Sequence, residues 1–370
     1  MKPAGEQPII LAAGGTGGHV LPALAVYQEL KRRGLKPVLF SDQRGLRFAK
    51  GFDQRDIHVV PSGGLVSGSP LKRLRGLAEL FAGWRVSRKL IKQLKPCGVL
   101  GLGGYASVPP IIAADQLGLP TLLHQGDKVL GRANGFVAGR VNKLLLSFPQ
   151  TRGVSAKLEN RTVVTGSPLR EAIEALAALP ATAQPTDQQL RILCVGGSLG
   201  ARALGQILPK AIGMLTDQQR AKISVVQQVS EDQQRQEIAQ SYQSMSVQAQ
   251  VTGFIEDMAA KYADCDLVVG RSGSTTVLEV AAAGKPAVFV PLGLHADAQQ
   301  THNASYLRDA GAAWIVQQND TAASGLAAIM RDLFENPNKL AEMALIARQQ
   351  AILRATASIA DIVEQEFRPL

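Results

Sequence analysis

Near its beginning the chain reads Leu11-Ala12-Ala13-Gly14-Gly15-Thr16-Gly17-Gly18. A stretch of the same character recurs in the second half as Leu193-Cys194-Val195-Gly196-Gly197-Ser198-Leu199-Gly200-Ala201. In both, an apolar run typical of a buried strand leads into glycines that open a helical pattern. Glycines there let the backbone approach a ligand closely, and free N–H groups at a helix start bind anions. The repetition predicts two α/β domains in tandem; a tight turn without a ligand is the alternative for each loop.

Short apolar runs alternate with helical patterns along both halves. Continuous apolar runs indicate strands of parallel sheets that are covered on both faces. The first series is Ile9–Ala13, Pro37–Ser41, Val99–Leu102, Pro120–Leu123 and Lys143–Ser147; the second is Arg191–Val195, Ile223–Gln227, Leu267–Val269, Ala287–Pro291 and Ala313–Val316. Residues 179–190 predict a linker, and residues 338–367 predict helix. Doubly wound sheets bind ligands at the carboxyl ends of their strands, so a cleft between the domains is expected.

The composition bounds the class of protein. The chain has 370 residues, of which 46% are hydrophobic and 19% charged, which fits globular domains. The three cysteines, Cys97, Cys194 and Cys265, do not cluster, which argues against a disulfide framework or a zinc site and favours a reducing compartment. The apolar run Ile9–Ala13 is too short for a signal sequence, and no run reaches the ~18 apolar residues of a membrane span. Any membrane contact is therefore expected to be peripheral.

Positive charge is concentrated in residues 71–95. The chain carries a net charge of +10, and eight of its cations fall in this segment against the single acid Glu79. Leu74, Leu77, Phe81 and Trp84 share one helical face there, which predicts a basic amphipathic helix that lies in a membrane interface. A core-facing helix with a solvated basic side is the alternative. Nucleic-acid binding is disfavoured, since no recognition element is evident.

Further candidates for chemistry follow strands. His19, on the first glycine-rich loop, is a candidate general base. A third loop, Ser272–Thr276, is rich in hydroxyl groups, and Glu279 follows it. Asp264-Cys265-Asp266 matches a short metal-binding pattern, but it lies at the start of a strand, away from the ligand-binding edge, so no metal is expected. The turn Gly15-x-Gly17 with Asp42 leaves a nicotinamide-dependent oxidoreductase open, although Val20 occupies the third glycine position of that fingerprint.

In combination, these residues resemble the MurG family, the N-acetylglucosaminyltransferases that form lipid II of peptidoglycan. The resemblance covers nearly the whole chain. It is carried by Gly14-Gly15-Thr16-Gly17-Gly18-His19-Val20, by Gly103-Gly104-Tyr105-Ala106-Ser107, by residues 196–202 and 251–255, and by Arg271-Ser272-Gly273 through Glu279 to Gln300 and Asn303. It implies the GT-B fold, with two Rossmann-like domains around a cleft. Residues 1–166, joined by a final helix at about 350–370, would form the acceptor domain, and residues 167–349 the UDP-sugar domain.

The resemblance also implies roles for individual residues. Ile255 would bind uracil through its backbone, Glu279 the ribose, and Gln300 and Asn303 the sugar. The full implied donor set is Thr16, Gly17, Gly18, Asp127, Arg170, Ser198, Ile255, Ser274, Thr275, Thr276, Glu279, Gln300 and Asn303. The implied acceptor set is Gly14, Gly15, Tyr105, His124 and Gln125, with His19 as the catalytic base.

One departure from the family affects this region. Members of the family usually read His-Glu-Gln-Asn where this chain reads His124-Gln125-Gly126-Asp127. A carboxylate at Asp127 should repel an anionic ligand unless a cation such as Lys128 or Arg132 neutralises it. Asp127→Asn is therefore expected to retain or raise activity.

The implied reaction is an inverting transfer without metal or cofactor. The C4 hydroxyl of the muramoyl sugar of undecaprenyl-diphosphate-linked lipid I attacks the anomeric carbon of UDP-GlcNAc, and UDP leaves. Helix N-termini and the hydroxyl-rich loops would stabilise the developing charge. The enzyme would work peripherally at the cytoplasmic face of the bacterial inner membrane, on an anionic surface. A related transferase acting on diacylglycerol, or a nucleotide-binding membrane adaptor without turnover, remains an alternative.

Overall fold

The computed structural model describes residues 7–64, 70–181, 189–292 and 298–367, with the backbone alone at 70–73 and 197–201. The chain forms two compact units. The first comprises Met1–Leu169 and Arg354–Leu370, and the second comprises Arg170–Leu353. The sequence had placed these boundaries at 166/167 and at about 350.

The first unit contains, within its described residues, a parallel sheet of seven strands in the order β3-β2-β1-β4-β5-β6-β7. From β1 to β3 successive strands are added toward one edge of the sheet, and from β4 to β7 toward the other. The boundary between β1 and β4 is therefore the topological switch point of a doubly wound fold. The strands are β1 (Pro8–Ala12), β2 (Lys36–Ser41), β3 (Ile57–Val59), β4 (Gly98–Gly101), β5 (Thr121–Gln125), β6 (Lys143–Leu146) and β7 (Thr162–Val164).

Helices cover both faces of this sheet because alternate residues of each buried strand point to opposite sides. Ile9 and Leu11 of β1 join one apolar layer, and Ile10 and Ala12 join the other. The helices of this unit are α1 (Gly17–Arg32), α2 (Pro70–Leu94), α3 (Val108–Gln116) and α4 (Arg132–Val137), and the last helix of the chain, α14 (Ala355–Glu366), also belongs here. The first layer is built from α1 and α14, and the second from α2, α3 and α4.

Arg33, which follows α1, anchors the last helix electrostatically. Its guanidinium pairs with Glu29 of α1 and with Asp361 and Glu364 of α14. A side chain on Gly98 would overlap the ring of Phe367, so the start of β4 accommodates this ring only because it carries glycine.

The second unit contains, among its described residues, a parallel sheet of six strands in the order β10-β9-β8-β11-β12-β13. Its strands are β8 (Leu190–Val195), β9 (Ile223–Gln228), β10 (Gln248–Thr252), β11 (Leu267–Gly270), β12 (Ala287–Phe289) and β13 (Ala313–Ile315). Its helices are α5 (Glu171–Ala175), α6 (Gly197–Gly213), α7 (Asp217–Arg220), α8 (Asp232–Ser244), α9 (Met258–Asp264), α10 (Ser274–Ala283), α11 (Gln299–Ala310), α12 (Ala322–Glu335) and α13 (Asn338–Gln349). The two parallel α/β sheets confirm the predicted fold class.

Residues 338–367, which are predicted as helix, form two helices with a break between them. The first helix ends at Gln349, and α14 begins at Ala355 after Arg354, whose φ of 59° is left-handed. The break coincides with the point where the chain leaves the second unit. Among the described residues, we find no helix of sufficient length and apolarity to cross a bilayer.

Candidate active site

The loop after β1 is held in shape by Asp42, which follows β2. Its Oδ1 accepts hydrogen bonds from the N–H of Gly15 (2.8 Å) and of Gly45 (2.9 Å), and its Oδ2 accepts from Arg44 and Ser62. Burial raises the pKa of this carboxyl, but these donors outweigh it and hold the pKa below its ordinary value. Asp42 is therefore committed to the protein backbone. In an oxidoreductase, Asp42 would be expected to bind a ribose. Here it supports the turn after β1.

The resulting turn presents the start of α1. Gly15 has a φ of +79°, and a Cβ on Gly14 would lie 2.6 Å from Asp42, so both positions require glycine. Thr16 and Gly18 are exposed. Thr16 makes no side-chain cap, and the first turn of α1 carries no acidic residue. The N–H groups at this helix start are therefore available to an anion.

His19 lies against a second glycine turn, which follows β4. A Cβ on Gly103 would be 2.8 Å from its Nδ1, and one on Gly104 would be 3.1 Å from its Cδ2. Ser107 fixes this turn, since its hydroxyl donates to the carbonyl of Ala12 (2.7 Å) and accepts from the N–H of Gly103 (3.1 Å). The imidazole is thus seated on backbone that only glycine permits. Tyr105, the residue after this turn, is half-buried.

The environment of His19 favours its neutral form. Desolvation lowers the pKa of the imidazole below its ordinary value, while the negative charge of Asp127 and a hydrogen bond to the backbone of Leu102 act in the opposite direction. A neutral imidazole can accept a proton, as general-base catalysis requires. The structure therefore brings Asp127, the departure from the family pattern, into electrostatic range of His19.

Asp127→Asn should shift the pH dependence of turnover. Removing the carboxylate removes the interaction that raises the pKa of His19, so the protonated form should appear only at lower pH. Since a general base must be neutral, the acidic limb of the kcat–pH profile should move to lower pH, with activity at pH 8 retained or raised. A pH series of initial rates measures this shift.

Asp115→Asn is the matched control, because Asp115 pairs with Arg140 at the surface of the same unit. Its profile should coincide with that of the unmodified protein. An acidic limb that stays in place in Asp127→Asn, or a large loss of activity at pH 8, would refute the electrostatic role.

His124 and Gln125 lie at the end of β5, and both side chains are buried. The Nε2 of His124 lies 3.1 Å from the carbonyl oxygen of Gly166, and burial lowers the pKa of the ring to about 4. The amide of Gln125 donates to the carbonyls of Asp127 and Val129, and its Oε1 accepts from Asn134. Gln125 therefore shapes the loop that carries Asp127, whereas His124 contacts the segment after β7. Direct contact of His124 and Gln125 with the acceptor stays a prediction.

In the second unit, the ends of β8 and β11 are neighbours, since Val195 pairs with Gly270. The glycine-rich start of α6 therefore lies beside the hydroxyl-rich start of α10. The side chain of Ser198 lies outside the described residues. Ser274, Thr275 and Thr276 are half-buried in the first turn of α10, which has no side-chain cap and no acidic residue. This arrangement suits a diphosphate.

Glu279 lies one turn further along α10 and is 7% exposed. Its Oε1 accepts a hydrogen bond from Arg170 (3.0 Å), and its Oε2 accepts one from the hydroxyl of Tyr262 (3.2 Å). Burial raises the pKa of this carboxyl, and Arg170 and Tyr262 oppose the rise. The structure brings together Arg170 and Glu279, which are far apart in the sequence.

The three remaining predicted donor contacts differ in accessibility. Asn303 is fully buried, and its amide donates to the carbonyl of Ser272 (3.2 Å), so it secures the loop before α10. Gln300 is half-buried, and its Oε1 accepts from the N–H of Leu292 (2.8 Å). The side chain of Ile255 is buried, whereas that of Phe254 beside it is exposed. A contact between the Asn303 side chain and the sugar stays a prediction beside this structural role.

The Asp264-Cys265-Asp266 pattern belongs to a structural ion pair. The buried carboxylate of Asp266 accepts two hydrogen bonds from the guanidinium of Arg191 and a third from the backbone N–H of Arg191. Within the described part of the chain, no group of three or more His, Cys, Asp or Glu side chains is placed to hold a metal.

The structural roles of several site residues had no signal in the sequence. Tyr262 and Arg271 are buried side chains that anchor the second unit. Arg271 donates to the carbonyl of Val290 and to Gln318, which ties the loop after β11 to later strands. Asp42 was singled out only in support of the oxidoreductase alternative. Their partners are distant in the sequence, so spacing could not identify them.

The basic helix α2 exposes an apolar face. Leu74 is 66% exposed, Leu77 52% and Phe81 59%; we call these three residues the α2 apolar face. Trp84, predicted on the same face, is half-buried against the core, and its Nε1 donates to Gln116 (2.8 Å). The side chains of Lys72 and Arg73 lie outside the described residues.

Fold and site together define a class. Two parallel α/β units, with anion-accepting loops at their strand ends and a buried carboxylate behind one of them, describe a nucleotide-sugar glycosyltransferase of the GT-B fold. Residues 9–146 match the glycosyltransferase family 28 N-terminal domain, and residues 191–365 match the C-terminal domain of that family. The chain belongs to glycosyltransferase family 28 and, within it, to the MurG family.

Individual relatives agree with this assignment. Proteins of Agrobacterium fabrum and Sinorhizobium medicae are 38% and 40% identical to this chain, respectively. Both alignments cover 96% of this chain, and they cover 93% and 94% of the relatives. Both are named UDP-N-acetylglucosamine–N-acetylmuramyl-(pentapeptide) pyrophosphoryl-undecaprenol N-acetylglucosamine transferase. The crystal structure of Acinetobacter baumannii MurG has a TM-score of 0.79 and 34% identity, covering 97% of this chain and 99% of that one.

Proposed function

We propose that this protein transfers N-acetylglucosamine from UDP-GlcNAc to the C4 hydroxyl of the muramoyl sugar of lipid I, forming lipid II for peptidoglycan synthesis. The observation that carries this proposal is the pairing of Arg170 with the buried Glu279 behind the hydroxyl-rich start of α10. This is a set of groups suited to the ribose and the diphosphate of a nucleotide sugar. The names of the full-length relatives supply the sugar and the acceptor.

The donor is held by the second unit in this proposal. Glu279 accepts hydrogen bonds from the ribose hydroxyls, and Arg170 provides positive charge close to the phosphates. The N–H groups and hydroxyls of Ser274–Thr276 bind the diphosphate, with Ser198 contributing from the start of α6. As UDP leaves, these donors stabilise its growing negative charge without reorganisation. Ile255 binds the uracil through its backbone.

The acceptor is held by the first unit. The N–H groups at the start of α1 bind its diphosphate. His19 takes the proton of the attacking hydroxyl, because its neutral form is favoured and its ring is fixed by Gly103 and Gly104. Gln125 supports the loop that carries Asp127, and His124 contacts the backbone of Gly166. Negative charge leaves with UDP, while the proton remains on the imidazole until solvent removes it.

The direct test is a product assay with lipid I and, separately, diacylglycerol as acceptors, run with UDP-GlcNAc in excess EDTA. Lipid II should form from lipid I, and EDTA should leave the rate unchanged, because the carboxylate of Asp266 is engaged with Arg191. Transfer to diacylglycerol alone would replace the acceptor assignment. Activity that needs a metal would overturn the donor mechanism.

We further propose that the protein acts as a peripheral enzyme at the cytoplasmic face of the inner membrane. The polyprenyl tail of the acceptor stays in the bilayer, so the enzyme must reach the surface. The α2 apolar face offers exposed apolar side chains, and Arg75, Arg85 and Arg88 lie on the same helix. Each cation contributes about 1 kcal/mol near an anionic surface, and each buried large apolar side chain about 1.5–3 kcal/mol.

Leu77→Ser with Phe81→Ser should release the protein from anionic vesicles. Both side chains are exposed in the absence of a membrane. Their loss should therefore weaken vesicle binding by more than about tenfold without lowering the melting temperature. Sedimentation with vesicles of stated anionic content measures binding. High salt should weaken vesicle binding by the unmodified protein, because it screens the attraction between the cations of α2 and the anionic surface.

Met214→Ser with Leu345→Ser is the control, since these side chains are similarly exposed in the second unit, at 49% and 56%. It should bind vesicles normally. If the α2 variant binds as well as this control, or loses its cooperative melt, the membrane proposal fails.

A further inference from the structure

Tyr262 is a buried phenol whose hydroxyl reaches the carboxylate proposed to bind the ribose. It lies in α9, it is fully buried, and its hydroxyl donates to the Oε2 of Glu279 at 3.2 Å. The other oxygen of Glu279 accepts from Arg170 at 3.0 Å. The two donors therefore hold opposite oxygens of one carboxylate, and fix both its direction and its rotation about the last side-chain bond.

We propose that Tyr262 is a positioning residue for UDP-GlcNAc binding, which holds the carboxylate of Glu279 in the orientation that accepts both hydroxyls of the ribose. A carboxylate has about four acceptor positions. Tyr262 and Arg170 occupy one on each oxygen, which leaves the number that a cis-diol requires. This inference rests on the proposed role of Glu279 in ribose binding.

The two tethers differ in how they respond to the donor. The side chain of Arg170 is 54% exposed, and the same guanidinium is proposed to serve the phosphates. When it turns toward that charge, its hold on Glu279 weakens. The hydroxyl of Tyr262 is buried and has no phosphate to turn toward. It therefore keeps the carboxylate in place while the nucleotide is bound.

The same hydrogen bond matters for ionisation. Burial raises the pKa of Glu279, which favours the protonated form, and the phenol donates to the charged form and opposes the rise. Loss of the phenol should therefore let Glu279 protonate at higher pH. A protonated carboxyl has one fewer acceptor position for a diol and no charge to strengthen the bonds.

The experiment measures the Kd of UDP by isothermal titration between pH 5 and 8.5 for the full chain and for Tyr262→Phe. We expect about three- to tenfold weaker binding at pH 7.5. The pH below which affinity declines should rise by more than about half a unit. The fitted number of sites reports the folded fraction, so partial unfolding changes that number and not the Kd.

Tyr242→Phe is the matched control. Tyr242 is also a fully buried phenol of the second unit, and its hydroxyl donates to Gln227 at 2.6 Å, away from Glu279. It should lower the melting temperature about as much as Tyr262→Phe does, while the Kd of UDP and its pH dependence stay unchanged. Equal effects of the two variants on UDP binding would overturn the proposal, since they would reflect a general loss of packing.

Glu279→Gln separates this inference from the function on which it rests. Glutamine has one acceptor oxygen in place of two and carries no charge, so it cannot accept both ribose hydroxyls as the carboxylate does, and Tyr262→Phe should add less than about twofold in that background. If Glu279→Gln itself leaves UDP binding unchanged, the ribose assignment fails. If Glu279→Gln weakens binding but Tyr262→Phe has the same effect in both backgrounds, or no effect at all, the ribose assignment stands and the positioning role is wrong.

Discussion

Replacing His19 with alanine should lower kcat by about 10²- to 10⁴-fold while leaving the affinity for UDP almost unchanged. The reason is that the imidazole is the proposed acceptor of the proton from the attacking hydroxyl, and its seat between Gly103 and Gly104 lies in the first unit. The nucleotide contacts are proposed in the second unit, and they should be unaffected. Steady-state rates with lipid I and a separate titration with UDP give the two quantities.

The pH dependence provides a second measure of the same role. Burial lowers the pKa of His19, so the unmodified protein should keep a neutral base down to pH values below the ordinary ~6.5 of histidine. Turnover should decline only as the pH falls through that lowered pKa. In the alanine variant the residual rate should no longer decline over this pH range.

His58→Ala is the control for a histidine of the same unit that the mechanism does not use, since His58 lies on the edge strand β3 and packs against Phe40. It should retain turnover. A loss of UDP affinity in His19→Ala as large as the loss of kcat would make His19 a ligand-positioning residue and not the base.

Glu279→Ala should weaken binding of UDP-GlcNAc by roughly 10- to 100-fold, since a hydrogen bond to a charged group contributes about 1.5–3 kcal/mol. The substitution removes the acceptor of the ribose hydroxyls, and leaves Arg170 and Tyr262 without the carboxylate that joins them. Titration with UDP-GlcNAc in the absence of acceptor measures the change. The value of kcat at saturating donor should change much less.

Glu237→Ala is the control, because this glutamate is exposed on α8 of the same unit. Its UDP-GlcNAc affinity should equal that of the unmodified protein. An unchanged affinity in Glu279→Ala, in protein that still melts cooperatively, would refute the ribose assignment.

The fold was predictable from the sequence because the central strands are buried on both faces. Ten strands were predicted from continuous apolar runs, and each is present within a few residues of its predicted bounds. The three that were missed, β3, β7 and β10, all lie at sheet edges. These three strands are partly solvated, and they lack a long continuous apolar run: β10 reads Gln248-Ala249-Gln250-Val251-Thr252, and none of these residues is fully buried.

The break between α13 and α14 gave no signal in the sequence. Residues 350–354 contain neither glycine nor proline, and the apolar periodicity continues through them. What ends the helix is that the segment before the break packs in the second unit, and the segment after it packs against α1. A tertiary requirement thus places Arg354 in a left-handed conformation that local preference disfavours.

The fold class, the order of the loops and the candidate nucleotide-binding loops could be predicted from the sequence, because glycine-rich turns after apolar runs depend on local geometry. Which polar side chains bond to the backbone of the protein itself depends on tertiary contacts. Asp42, His124 and Asn303 all follow or neighbour predicted ligand-binding loops, yet each is buried and bonded to backbone groups from a distant part of the chain. Glu279 gains its orientation from Arg170 and Tyr262 in the same way. A buried polar group must find a partner wherever the fold places one, and sequence spacing carries no record of partners that folding brings together.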